Sequence, residues 1–246
     1  MSNASQTDRK SPSQFWIQAW EQASGADLRV GSDQEEENYW RENAAAYDER
    51  NPLAPYTQPI MDKVFQHLQP DDHLLEIGPG TGGFTRLLGQ HVREVTLIEP
   101  SAAMYEVLCS SWDQGHKPLP KAMIAKWEEA PEVTADIVFG ANAFYRIRDM
   151  KSSLLKMHQT ARRHVFLIQS IGRPFAGPLH AEDNGEWVDK ERAEVLSGIL
   201  DELNIRHRYD TFPIQRKNGM IHDVALIHWS KLQRNKEIKN TRCDLL

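Results

Sequence analysis

The run Glu76-Ile77-Gly78-Pro79-Gly80-Thr81-Gly82-Gly83 restricts this chain more than any other segment. It follows the short apolar stretch HLLEIG and leads into sequence with Phe84, Leu87 and Leu88 at helical spacing. That pattern reads as strand, tight turn and helix. Glycines at 78, 80 and 82 permit backbone angles and approaches that a Cβ would forbid, so main chain can come close to a ligand at the carboxyl edge of a sheet. A second strand, EVTLIEP, ends in Glu99, about 20 residues after the first glycine, where a carboxylate accepts hydrogen bonds from both hydroxyls of a ribose.

The rest of the chain continues the alternation. Ser101 caps a helix carrying Met104, Val107 and Leu108, and AMIAKW and ADIVFGA read as two buried strands. Asp149 opens a helix with Met150, Leu154 and Met157 facing inward, and HVFLIQS is a fifth strand. The Gly/Pro-rich stretch GRPFAGPLHAEDNGEW interrupts the pattern and reads as a loop able to cover a site. A helix with Leu196, Ile199, Leu200 and Leu203 follows, then RHRYDTFPI and DVALIHW, joined through Lys217, Asn218 and Gly219. The short link leaves no room for a crossover helix, so these two strands form a hairpin and one of them runs antiparallel in a mostly parallel sheet. Upstream lie an aromatic stripe (Phe15, Trp16, Trp20), a helix from about Glu35 to Asp48, and another after Pro55 with Ile60, Val64 and Leu68 on one face. The expected division is a disordered stretch over 1–14, a helical N-terminal cap over 15–70, a ligand-binding domain over 71–232 and a polar tail over 233–246.

Charge and composition narrow the partners. A formal net charge of -6, with basic residues clustered only in the tail (Lys231, Arg234, Lys236, Lys239, Arg242), predicts no nucleic-acid partner. No apolar run approaches the roughly 18–20 residues that cross a bilayer, so no membrane partner is expected. The N-terminus MSNASQTDRKSPSQ lacks an apolar signal core, and Cys109 and Cys243 lack metal-type spacing; both point to a cytoplasmic protein.

Gly78, Gly80 and Gly83 also satisfy G-x-G-x-x-G, the dinucleotide-binding pattern. Three features oppose it: the negative charge of Glu76 beside the turn, the roughly 70 residues before the first strand, and the closing hairpin. A sulfonium or ammonium ligand tolerates that charge where a pyrophosphate does not.

In series, LLEIGPGTGGFT, VTLIEPSAAM, IAKWEEAP and DIVFGANAFYRIRD resemble the motifs of the class I S-adenosylmethionine-dependent methyltransferases over roughly residues 35 to 170. The resemblance implies an α/β, Rossmann-like, doubly wound sheet of seven strands, mostly parallel with an antiparallel C-terminal hairpin strand. It implies S-adenosyl-L-methionine as cofactor and S-adenosyl-L-homocysteine as product. Gly78, Gly80 and Gly82 would line the methionine portion with Glu76 nearby, and Glu99 would hold the ribose. Pro100, Ser101 and Met104 would border the adenine, flanked by Trp127, with a polar contact from Lys126 or Glu128. Asn142 would lie by the methionine amino and carboxylate groups, and Tyr47 would close over the cofactor from the cap. The sequence departs from many relatives after Asn142-Ala143, where Phe144-Tyr145-Arg146 replaces a small apolar residue and a histidine. It also lacks the Asn-Pro-Pro-Tyr type of motif used by amino-methylating nucleic-acid enzymes.

Methyl transfer is a direct displacement, so holding the nucleophile in line supplies much of the rate and no metal is required. The acceptor side is expected at Tyr56, Tyr145, Arg146 and His180, the acceptor itself being a small molecule. Tyr47 and Tyr56 have aromatic packing of the cap on the domain as an equal explanation, and for Trp127 core packing is a rival explanation. His207, between Arg206 and Arg208, and His222 beside Asp223 lack a third ligand, so no metal site is expected. Two alternatives stay open: a non-catalytic cofactor-binding sensor or assembly protein of the same fold, and a methyltransferase acting on RNA or protein.

Overall fold

The computed structural model describes residues 9–50, 53–112 and 118–231. Five helices come first: α1 (Pro12–Ala26), α2 (Leu28–Gly31), α3 (Asp33–Asn43), α4 (Tyr47–Arg50) and α5 (Gln58–Phe65). Then strands and helices alternate: β1 (His73–Ile77), α6 (Gly83–Leu88), β2 (Glu94–Ile98), α7 (Ala102–Ser110), β3 (Lys121–Met123), β4 (Ala135–Ala141), α8 (Met150–Thr160) and β5 (Ala161–Ser170). The chain continues through β6 (Leu179–Asp183), β7 (Glu186–Lys190), α9 (Arg192–Glu202), β8 (Arg208–Gln215) and β9 (Ile221–Ser230).

Seven strands form one sheet in the order β3-β2-β1-β4-β5-β9-β8. All pairings are parallel except those of β9, which runs antiparallel to both β5 and β8, as the short link between the last two strands requires. Strand periodicity divides the core: Leu75, Ile77, Val165 and Leu167 face α1, α8 and α9, whereas Leu74, Phe166 and Ile168 face α5, α6 and α7. Both faces of the sheet are therefore covered, and the carboxyl ends of β1, β2 and β4 stand together at the reversal of strand order, where this architecture leaves a crevice.

Four expectations change. Order begins well before residue 15: Ser11 accepts from the Gln14 N–H at 3.4 Å while Gln14 accepts from the Ser11 N–H at 3.0 Å, a capping box that starts α1 at Pro12. Glu202 secures that start by accepting from both the N–H and the hydroxyl of Ser13 at 2.7 Å. The expected disorder of residues 1–8 and the tail over 233–246 fall outside the described residues. The helix placed at 35–48 begins at Asp33 because Ser32 caps it, and a 3-10 turn at Ala44–Ala46 breaks it from α4. β3 is a three-residue edge strand with Lys121 exposed, not a buried one; it pairs only with β2. Finally, the Gly/Pro-rich stretch contains the hairpin β6–β7, turned by Asn184 (φ 56°) and Gly185 (φ 82°). Asn-Gly between two short runs is the strongest local hairpin signal, and it was present in the sequence.

α1 is attached by Phe15 and Trp16, both essentially excluded from solvent, each contributing about 1.5–3 kcal/mol of apolar burial. At the opposite end of the sheet three imidazoles gather around Phe166: the His67 ring lies 4.6 Å from His164 and 5.8 Å from His228. Burial, then the neighbouring charges of His67, Arg163 and His228, push His164 down to about 4. Burial also lowers His67 and His228, although Asp210 opposes the shift at His228. A histidine lowered on folding binds fewer protons than in the unfolded chain, so its contribution is complete above the ordinary value near 6.5 and is lost as pH falls toward the folded value. His164→Phe is therefore expected to lower the urea midpoint least, or to raise it, at pH 5 relative to pH 7.5. A wild-type-to-variant difference that is independent of pH would contradict the buried neutral imidazole.

Candidate active site at the carboxyl ends of β1, β2 and β4

A cavity of about 340 Å³ opens over these strand ends. Its floor is the glycine turn. Gly78 has φ +65°, and a Cβ there would stand 2.5 Å from Cβ of Ala143; Gly80 has φ +57°. The turn is therefore glycine for two separate reasons, conformation and clearance.

Glu99 stands at the end of β2, 5% exposed and on the cavity wall. One carboxylate oxygen accepts from the Gly80 N–H and the other from the Ser101 N–H, both at 2.9 Å. These bonds fix the carboxylate while leaving lone pairs directed elsewhere. Burial pushes Glu99 up to about 7; the two N–H groups pull the other way, and Glu37 and Glu36 add to the rise. Ser101 caps α7 by accepting from Met104 N–H at 3.2 Å, which brings Pro100, Ser101 and Met104 to the same wall.

The roof comes from the N-terminal helices. Asp33, Glu36, Glu37 and Trp40 of α3 line the cavity, with Tyr47 from α4. Glu36 is 4% exposed and accepts from Arg29 Nε at 2.8 Å, from the Trp40 indole at 2.6 Å and, in a very short bond, from the Tyr145 hydroxyl. Burial and the Glu36 carboxylate hold the Tyr145 phenol well above its ordinary value, so at neutral pH Tyr145 donates and does not serve as a base. Asp33 bridges Lys126 at 2.9 Å and Arg146 at 2.6 Å, and Glu37 accepts from the Ala103 N–H at 3.1 Å. The lysine and arginine hold the Asp33 carboxyl below the usual range. Sequence reasoning placed Tyr47 here and missed Asp33, Glu36, Glu37 and Trp40. Their signal was nevertheless there: positions 33, 36, 37 and 40 follow the i, i+3, i+4, i+7 rule of one helix face, a face carrying acids and an indole instead of aliphatics.

Of the residues named from sequence, the structure brings Tyr47, Gly78, Gly80, Glu99, Pro100, Met104, Lys126, Trp127, Glu128, Asn142, Tyr145 and Arg146 to this cavity. Trp127 is also core, its indole donating to Ser153 O at 3.3 Å beneath Lys156. Asn142 adopts φ 51°, and its side-chain oxygen accepts from the Ser170 N–H at 2.8 Å, closing β4 onto β5. Four named residues lie elsewhere. Glu76 sits behind the turn, 2% exposed, accepting from the Thr85 hydroxyl at 2.7 Å, and burial pushes it up to about 7. It does not reach the cavity wall, because the strand pleat points it into the space under α6. Gly82 serves packing: a Cβ there would come within 2.8 Å of Leu108. Tyr56 packs against the apolar cluster around Phe84 and Ile60. His180 lies in β6, 2.6 Å from Asp189, on the wall of a second cavity. Among the described residues no group of three or more His, Cys, Asp or Glu side chains is placed to hold a metal ion; His207 is hydrogen-bonded to Ser197 at 2.6 Å.

Gly78→Ala places a side chain in left-handed backbone and against Ala143. It is expected to lower stability by about 1–3 kcal/mol, read as a reduced urea midpoint with unchanged slope. An unchanged midpoint would mean the turn is not constrained as described.

Residues 56–168, somewhat under half the chain, match the model of a family described as ribosomal RNA adenine dimethylase. No curated protein matches. Among solved structures, the chain is similar to magnesium protoporphyrin IX methyltransferase (ChlM) of Synechocystis PCC 6803 with bound SAM, at 13% identity and TM-score 0.54, covering 76% of this chain and 84% of that one. It is similar to the DhpI-SAM-HEP complex at 16% identity and TM-score 0.57, covering 82% and 98%. A SAM-dependent methyltransferase from Aquifex aeolicus gives 16% identity and TM-score 0.54 over 76% and 97%. The family match corrects one expectation: a nucleic-acid partner was excluded on net charge and on the absence of an Asn-Pro-Pro-Tyr motif, and that exclusion does not stand. Net charge is an average over the whole surface and does not describe the face that meets a substrate. No described helix is long and apolar enough to cross a membrane. With its strand order and its glycine turn, the chain has the fold of these S-adenosylmethionine-dependent methyltransferases, and its middle portion is similar to the ribosomal RNA adenine dimethylase family.

Proposed function

We propose that the chain transfers a methyl group from S-adenosylmethionine to an acceptor presented at the carboxyl end of β4. The observation that carries this reading is the buried Glu99 carboxylate facing a cavity floored by left-handed glycine backbone. The cavity suits the ligand in three ways. Gly78 leaves room that a Cβ would fill. Glu99 keeps free lone pairs for vicinal hydroxyls. Asp33, Glu36, Glu37 and Glu99 make the wall acidic, which favours a cationic ligand over a pyrophosphate. Solved neighbours of the same fold carry SAM.

When bound, the cofactor supplies a methyl group activated by its sulfonium. The protein's own residues bind and orient. Glu99 would accept from the ribose hydroxyls, and Pro100, Met104 and Trp127 would enclose the adenine. Lys126 and Glu128 would offer polar contact at its edge, and Tyr47 would close the cap side. The Gly78–Gly80 backbone and Asn142 would hold the amino-acid end. Tyr145 and Arg146 would face the acceptor, Tyr145 as a hydrogen-bond donor. The roof formed by α3 would cover the bound cofactor, and proximity and alignment would supply most of the rate.

The family match supports an adenine of ribosomal RNA as the acceptor class. A second reading, a compact free acceptor, is favoured by the acidic wall, which opposes a phosphate backbone, and by the small second cavity that shares Tyr145 with the first. Incubation with radiolabelled S-adenosylmethionine and deproteinised total RNA, followed by ribonuclease digestion, separates the two: label released as methylated adenosine supports the first, and label confined to small molecules in a cell extract supports the second.

Glu99 is raised to about 7, so a ligand that needs the carboxylate must displace a proton below that value. Affinity for S-adenosylhomocysteine is expected to rise from pH 5.5 to 8 in calorimetry, with proton release detected by changing the buffer. Glu99→Gln should weaken binding about 10–100-fold and flatten the pH dependence. Tight, pH-independent binding by the variant would remove Glu99 from the proposed role.

A further inference from the structure

A second cavity, about 260 Å³, lies between α1, the start of β6 and the start of α9. It shares a single wall residue with the first cavity, Tyr145. Its volume is below the ~300–1,000 Å³ of ordinary drug-sized sites, so it admits one compact group. Two of its walls are indoles. The Trp16 indole donates to Ile147 O at 2.7 Å and that of Trp20 to Arg146 O at 3.0 Å, so both rings are fixed to the loop that carries Tyr145. Ala23 and Leu179 add apolar surface.

The wall also carries His180, paired with Asp189 at 2.6 Å, and a cation. Arg192 points its guanidinium toward the Trp16 ring, 6.0 Å from the centroid, and its Nε–H donates to Gly177 O at 3.1 Å. Among the described residues its two terminal nitrogens make no hydrogen bond, and no carboxylate forms an ion pair with it. The adjacent Glu191 is engaged elsewhere, accepting from the Gly172 N–H at 3.1 Å. Burial pulls Arg192 below its ordinary value, and the neighbouring Glu191 charge offsets only part of that loss. A guanidinium in this state favours a carboxylate or phosphate held by two parallel hydrogen bonds.

We infer that this cavity receives the methyl acceptor, and that Arg192 selects an acceptor with a planar apolar group and one anionic substituent, a carboxylate or a phosphate. The planar group stacks between Trp16, Trp20 and Tyr145, and Arg192 holds the anion. This rests on the methyltransferase reading of the first cavity, since Tyr145 lines both cavities. One anion chemistry has two sources here, a free aromatic acid or a nucleotide unit, and the probes distinguish them.

The test is a calorimetric titration of the full chain with 4-hydroxybenzoate and its neutral analogue 4-hydroxybenzamide, and with adenosine 5′-monophosphate and adenosine. Each is run with and without saturating S-adenosylhomocysteine. The expected result is that at least one anion binds ten-fold or more tightly than its neutral partner. Arg192→Gln should abolish that preference, Arg192→Lys should keep part of it, and Ala23→Phe, which fills the cavity and leaves Arg192 in place, should remove binding of both. S-adenosylhomocysteine affinity should change less than two-fold in all three variants. Equal binding of each anion and its neutral analogue would overturn the proposal, as would a preference that survives Arg192→Gln, or binding that survives Ala23→Phe in folded protein. Failure of S-adenosylhomocysteine to bind wild-type protein would instead overturn the cofactor reading, and the titrations without it register the anion preference separately.

Discussion

The Glu36 carboxylate is the interaction on which the closed site depends. Removing a carboxylate from water costs several kcal/mol unless its lone pairs are satisfied, and here a guanidinium, an indole N–H and a phenol satisfy them together. The three donors come from α2, α3 and the loop after β4. The charge can therefore stay buried only when the N-terminal helices are docked on the sheet with the Tyr145 loop in place. Asp33 and Glu37 repeat this logic at the rim, each drawing a residue of the sheet domain toward α3. The acidic roof is in this sense both a fastening and part of the binding surface.

Much of the sheet domain was legible in the sequence. Apolar runs gave β1, β2, β4, β5 and the closing pair, and Ser101 and Asp149 marked two helix starts that are capped by their own side chains. The topology followed from connection length alone at the last two strands. The failures share one cause: local hydrophobicity was used where hydrogen bonding decides. Residues 12–14 carry little apolar surface, yet Ser11, Gln14 and Ser13 order them through caps and the Glu202 carboxylate. The hairpin β6–β7 is specified by Asn184 and Gly185, whose left-handed angles matter more than the composition around them.

In the site, residues at strand ends were found because strand ends are fixed by topology, and Gly78, Gly80, Glu99 and Asn142 stand where a doubly wound sheet must place them. Glu76 and Gly82 have the same motif membership and a different job, supporting the turn from behind. Motif proximity does not separate contact from support; the alternation of the strand does, because neighbouring side chains point to opposite faces. The acidic face of α3 was overlooked for a further reason. Acidic residues on a helix ordinarily face water, and only the buried partner, Tyr145, more than a hundred positions away, shows that Glu36 does not.

The two indole-to-carbonyl bonds from α1 have a consequence for access to the two cavities. Ile147 and Arg146 bracket the turn that carries the shared tyrosine, so any outward swing of the first helix drags that turn with it. Entry to either chamber and the alignment between them then become a single mechanical coordinate.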